Sequence, residues 1–133
     1  MENLDIVKAS IEDCQHLLGS QVTTPQRAME RLLSYKPDIV IITLGEEGSI
    51  IGTTKKVYKI YPIKTQVIDC TGAGDTYMAS FLSEYLNTGD IEKSGVFASA
   101  TASFLIEKTG GVSIERFPTK EKVLERINKY EKK

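Results

Sequence analysis

An α/β layered sheet with flanking helices is the fold class this sequence predicts, and three observations carry it. Ile39-Val40-Ile41-Ile42-Thr43-Leu44 is a continuous, largely β-branched apolar run, as a strand covered on both faces requires. Met78, Phe81, Leu82, Tyr85 and Leu86 recur at i, i+3, i+4, i+7 and i+8, which marks one buried face of a helix. Along the rest of the chain, shorter apolar runs are interspersed with helical patterns. No internal repeat, low-complexity tract or linker divides the sequence, so residues 1–133 read as a single domain.

The elements follow in order. Leu4 to Ala9 predicts a short strand, and Ile11 to Leu18 a helix that Gly19 terminates. Thr24 supplies an N-cap and Pro25 the first turn of a second helix, with Ala28, Met29, Leu32 and Leu33 at helical spacing before Pro37 stops the pattern. The run from Ile39 to Leu44 reads as a central parallel strand, and Gly45 permits a sharp exit. Ser49 to Thr54 and Val57 to Ile63 are extended segments with Lys55-Lys56 at the turn between them, and Pro62 points to an edge or a strand end. Ile91 to Lys108 predicts a helix rich in Ala and Ser, ended by Gly110-Gly111. Thr119 caps a last helix carrying Val123, Leu124, Ile127 and Tyr130, and its lysine-rich end reads as a fraying terminus.

Composition narrows the function. With 17 basic against 18 acidic residues, the formal charge of -1 supplies no global basic field for nucleic acid or an anionic membrane. Tyr58 and Tyr61 among Lys55, Lys56, Lys59 and Lys64 read as an amphipathic edge strand with solvated lysines. No apolar run approaches the roughly 20 residues that cross a bilayer. Residues 1–10 lack the charged-then-apolar order of a secretory signal. Cys14 and Cys70 have no CxxC spacing and His16 no partner that would suggest zinc, which fits a reducing cytosol and a cytoplasmic location.

The chemistry concentrates in Asp69-Cys70-Thr71-Gly72-Ala73-Gly74-Asp75-Thr76, between an extended run and the strongest helix. A strand-loop-helix junction with two glycines brings backbone N–H groups close to an anion, and the positive end of the helix favours negative charge there. Neither GxxxxGK[ST] nor GxGxxG is present. Asp75 would repel a phosphate unless it has a chemical role. As a general base it accepts the proton of an attacking hydroxyl while backbone donors stabilise the phosphoryl oxygens. The alternative is that Asp75 merely caps a helix beginning near Thr76.

Asp69 to Leu82, DCTGAGDTYMASFL, resembles the C-terminal signature of the PfkB carbohydrate kinase family, the ribokinase-like sugar and nucleoside kinases. Thr43-Leu44-Gly45-Glu46-Glu47-Gly48 is similar to the family's TLGxxG turn, and Phe97-Ala98-Ser99-Ala100 to its small-residue helix beside the adenine. The resemblance implies a ribokinase-like layered sheet, C-terminal portion only, because the family's N-terminal strands, glycine-pair sugar motif and lid have no counterpart in this sequence. It implies an ATP-dependent phosphotransferase domain acting on a hydroxyl of a sugar or related alcohol. In that mapping Asp75 is the base, and Gly72, Ala73 and Gly74 form the anion hole. Thr43, Gly45 and Gly48 border the nucleotide, and Ser99 lies near its base. Asp69 and Thr71, with the turn around Gly111 and Ser113, fall where ribokinase-like members hold a monovalent cation such as K+.

Where the family has an NxxE motif organising Mg2+, this chain has Ser10 and Asp13, with Lys8 ahead of them. Asp13 serves the metal through its hydration shell or is an ordinary first-turn helix acid. A sugar or alcohol acceptor is expected only when the N-terminal half is supplied. Two other functions stay open: a non-catalytic nucleotide-binding or assembly module, or truncated remnant, and a vitamin-precursor kinase of the wider superfamily. ATP and GTP are not distinguished. The first strand would lack a neighbour on one side, and an open edge is a template for self-association.

Overall fold

The computed structural model describes residues 4–19, 24–70, 72–107 and 117–131. They belong to two compact units, Met1–Ile60 and Tyr61–Lys133.

In the first unit, strand β1 (Ile6–Ser10) leads directly into helix α1 (Ile11–Leu18), and helix α2 (Pro25–Leu33) precedes strand β2 (Ile39–Thr43). Strands β3 (Ser49–Gly52) and β4 (Val57–Ile60) complete a sheet of order β1-β2-β3-β4. β2 is parallel to β1, as its sequence suggests, yet antiparallel to β3, which is antiparallel to β4. The sheet is therefore mixed. A tight turn at Gly45–Glu47 reverses the chain at once, whereas a parallel neighbour would need a long crossover.

Ile39, Val40, Ile41 and Ile42 are all buried, so β2 has both faces covered. Val40 and Ile42, on one face, pack with Ala9, Cys14, Ala28, Met29 and Ile50 into the core of this unit. Both helices start on side-chain caps. Ser10 Oγ accepts from the Asp13 amide at 3.0 Å, and Thr24 Oγ1 accepts from the Arg27 amide at 3.2 Å. Gly19 closes α1 at φ 85°, a conformation that favours glycine.

Gly52 carries a packing constraint that composition hides. A Cβ built there would lie 2.5 Å from the buried Met29 Sδ, and overpacking a filled core strains its neighbours. Gly52→Ala is expected to destabilise the chain by about 1–3 kcal/mol, read from the urea midpoint. An unchanged midpoint would mean that Met29 swings aside without cost.

The second unit contains helices α3 (Ala73–Thr88), α4 (Ile91–Leu105) and α5 (Lys120–Glu131). Gly89, at φ 68°, ends α3, and the Asp90 side chain accepts from the Lys93 amide to begin α4. The sequence stripe Met78-Phe81-Leu82-Tyr85-Leu86 does not define the buried face of α3. That face is Thr76, Tyr77, Ser80, Phe81 and Glu84, while Leu86 is 71% exposed. Small residues line the opposing side of α4, where Ser94, Gly95, Ala98 and Thr101 are buried, so small and polar positions of α3 can approach closely. Glu84 is buried and meets Lys120 of α5 at 3.6 Å. The buried hydroxyls of Thr76 and Ser80 have no hydrogen-bond partner among the described residues.

The extended run ahead of the glycine loop forms no strand. Its Ile68 and Asp69 amides both donate to the Ile106 carbonyl, at 2.7 and 3.0 Å, at the end of α4. α4 stops at Leu105, before the Gly110-Gly111 pair, which lies outside the described residues. Thr119 Oγ1 accepts from the Lys122 amide at 3.3 Å, capping α5 as the sequence suggests. Among the described residues, no helix is long and apolar enough to cross a membrane.

Candidate active site

The glycine loop is built around one turn. Gly72 takes φ 79° and ψ 0°, left-handed values that a side chain would resist. The Ala73 amide donates to the Cys70 carbonyl at 3.1 Å, and the Thr76 amide makes the first bond of α3, to the Gly72 carbonyl at 3.0 Å. The helix thus starts at Ala73 with Gly72 as its N-cap and no side-chain cap. Asp75 stands inside the first turn, so the idea that it caps a helix starting near Thr76 is corrected.

The Ala73 amide, expected in the anion hole, already has an acceptor within the turn. The Gly74 and Asp75 amides have none among the described residues, as the first turn of a helix leaves them. Asp75 is exposed, and its carboxylate takes no hydrogen bond or ion pair from a described residue. Amides and a carboxylate without a partner among the described residues, together with the positive helix end, therefore share one turn.

In the first unit, Thr43 ends β2 and the glycine turn follows. Gly45 and Gly48 both have positive φ, 61° and 95°. The turn closes on itself: Leu44 N–H donates to the Gly48 carbonyl at 2.8 Å, and Glu47 N–H to the Leu44 carbonyl at 3.2 Å. Parallel pairing sets Ser10 beside Thr43, so the start of α1 and the glycine turn lie at the same carboxyl end of two parallel strands. That is the end at which open α/β sheets bind ligands.

Ser10 and Asp13 form a reciprocal capping box, because the Asp13 carboxylate also accepts from the Ser10 amide at 3.1 Å. Those bonds, with Lys8 and His16 adding smaller attractions, hold the Asp13 carboxyl below the usual aspartate range. A group whose pKa is depressed by folding adds stability above its unfolded value, and loses that contribution as pH falls through the folded one. The stability advantage of the chain over Asp13→Ala should be full above about pH 4 and fade below it, in thermal midpoints followed toward pH 2. A pH-independent gap would remove the carboxylate from the box.

No three His, Cys, Asp or Glu side chains converge on a metal position among the described residues. One Asp13 oxygen is committed to the box, where it accepts from the Ser10 amide. Asp69 is held through its amide at Ile106. Thr71, Gly111 and Ser113, the other residues of the expected K+ site, lie outside the described residues. Ser99 is half-buried on α4. A cleft of about 270 Å³ among α3, α4 and α5, lined by Ser80, Glu84, Phe97, Thr101 and Phe117, includes none of the expected site residues.

A mixed sheet with flanking helices is the architecture of solved structures of the ribokinase fold. The crystal structure of Methanocaldococcus jannaschii nucleoside kinase, an archaeal member of the ribokinase family, matches with a TM-score of 0.73 and 38% identity, over 94% of this chain and 40% of that one. Arabidopsis thaliana ribokinase, solved with ribose and ATP, matches with a TM-score of 0.81 and 26% identity, over 92% of this chain and 40% of that one. The chain belongs to the pfkB family of carbohydrate kinases, whose profile matches residues 1–118. In sequence, it is 47% identical to the M. jannaschii nucleoside kinase over 94 residues, 70% of this chain and 30% of that protein. It is 33% identical to Lactococcus lactis ribokinase over 131 residues, 96% of this chain and 41% of that protein. The chain thus spans well under half the length of the relatives it matches.

Proposed function

We propose that this chain is the phosphoryl-donor part of an ATP-dependent kinase acting on a hydroxyl of a sugar, nucleoside or related alcohol. Membership of the pfkB family supports the reaction class. The observation that carries the site is the unengaged Asp75 carboxylate in the same turn as the Gly74 and Asp75 amides, which have no described acceptor.

The acceptor hydroxyl gives its proton to an Asp75 carboxylate oxygen as its own oxygen attacks the terminal phosphorus. The bond from that phosphorus to the bridging oxygen breaks, and ADP leaves with the electron pair. Charge on the transferring oxygens is met by the Gly74 and Asp75 N–H groups, which have no acceptor among the described residues. Thr43, Gly45 and Gly48 border the nucleotide and Ser99 its base in this reading. The chain needs the remainder of a kinase fold to hold the acceptor.

Calorimetry with ATP, ADP and inorganic phosphate tests the donor site. An ADP-release assay over a panel of sugars and nucleosides, with the chain mixed with the N-terminal part of a relative, tests transfer. ATP binding without transfer to any acceptor would favour a nucleotide-binding module, and no binding of any of the three ligands would reject the reading.

A further inference from the structure

We infer that Arg126 is a positioning residue for the glycine loop, acting through the end of α4; the inference rests on the proposed phosphotransfer role of that loop. Arg126 lies on α5, in a charged stretch whose periodicity gives it no special standing. Its guanidinium nevertheless makes three kinds of contact to one turn. It donates to Ser103 Oγ at 3.0 Å, donates to both Glu107 carboxylate oxygens at 2.5 and 3.4 Å, and stacks on the Phe104 ring with Cζ 3.5 Å from the centroid. A planar fork that pairs and stacks at once fixes geometry in a way an ammonium cannot.

The clamped residues bracket Ile106. Its carbonyl is one of those a helix end leaves without an internal partner, and it receives both the Ile68 and the Asp69 amide. The next residue, Cys70, provides the carbonyl that accepts from Ala73 and so sets where α3 begins. The line from Arg126 to the loop is thus one clamped turn, one shared carbonyl and one turn bond. A small displacement along it would misplace the amides and the carboxylate of the first turn, and catalytic rates are sensitive to such shifts.

Amide hydrogen exchange, together with ADP calorimetry, tests this on the whole chain with Arg126→Met and Arg126→Lys. Arg126→Met is expected to speed exchange at Ile68 and Asp69 by about tenfold, to leave the Phe81 amide of α3 at its original rate, and to weaken ADP binding roughly 3- to 10-fold. Arg126→Lys keeps the charge without the fork or the stack, and should recover only part of both effects. Unchanged exchange at Ile68 and Asp69 in both variants would overturn the proposal, as would an equal acceleration at Phe81, which reports general loosening. If Arg126→Met does not fold, Arg126→Lys alone decides by the same comparison. A wild-type chain that binds no ADP, while exchange still responds, rejects the phosphotransfer reading and with it the functional half of this proposal, and shows the mechanical link to be real.

Discussion

Asp75→Asn is expected to lower phosphoryl transfer by about 10²- to 10⁴-fold, the usual contribution of a positioned base, while ATP affinity stays the same or improves. The substitution is nearly isosteric and keeps the side chain in the first turn of α3, but an amide nitrogen cannot accept the hydroxyl proton at neutral pH. Removing a negative charge beside the phosphates takes away a repulsion, so binding and turnover should move in opposite directions. Stability provides the control. Gly72, not Asp75, is the N-cap, so the variant loses only the favourable interaction of a first-turn acid with the helix end, about 0.3–1 kcal/mol. Transfer is measured with the chain joined by the rest of a kinase fold, and affinity on the chain alone. Near-normal turnover in Asp75→Asn would withdraw the base assignment; a large loss of stability would show the residue to be structural after all.

The ease of locating that acid in the sequence contrasts with the difficulty of describing its surroundings. Glycines at 72 and 74 followed by an acid are a local pattern, and local conformation decides where a helix starts. β2 was legible for a similar reason: its β-branched run is buried on both faces wherever it sits. The glycine turn after it reads correctly because Gly45 and Gly48 both take positive φ.

What failed depended on partners distant in sequence. The extended run ahead of Asp69 reads as the strand of a strand-loop-helix junction, yet the Ile68 and Asp69 amides satisfy a helix end 38 and 37 residues further on, at Ile106. Arg126 carries no periodic signal, since its importance lies in Ser103, Phe104 and Glu107, which another helix brings to it. The Ala73 amide fell between these cases: it closes the turn on the Cys70 carbonyl, while the Gly74 and Asp75 amides have no acceptor among the described residues.

Phe81→Ala is expected to destabilise the chain by about 3–5 kcal/mol, whereas Leu86→Ala should stay within about 0.5 kcal/mol of the wild type. The sequence pattern places both on one apolar stripe and so predicts comparable losses. The structure separates them. Phe81 is fully buried and lies 5.7 Å from the Tyr85 ring at an interplanar angle of 8°, while Leu86 is 71% exposed. Truncating Phe81 removes the transfer free energy of a ring and leaves a cavity among residues that relax only in part; truncating Leu86 removes side-chain surface already in water. For a chain of this length the Phe81 change corresponds to a thermal midpoint lower by roughly 10–20 °C. Phe81→Leu should recover most of the loss, because the cavity shrinks while the site stays apolar. Because α3 carries the glycine loop and Asp75 on its first turn, this packing is also what holds the candidate base in place. Equal destabilisation by Phe81→Ala and Leu86→Ala would mean that α3 buries the face its sequence advertises, and the direction in which its first turn presents Asp75 would have to be redrawn.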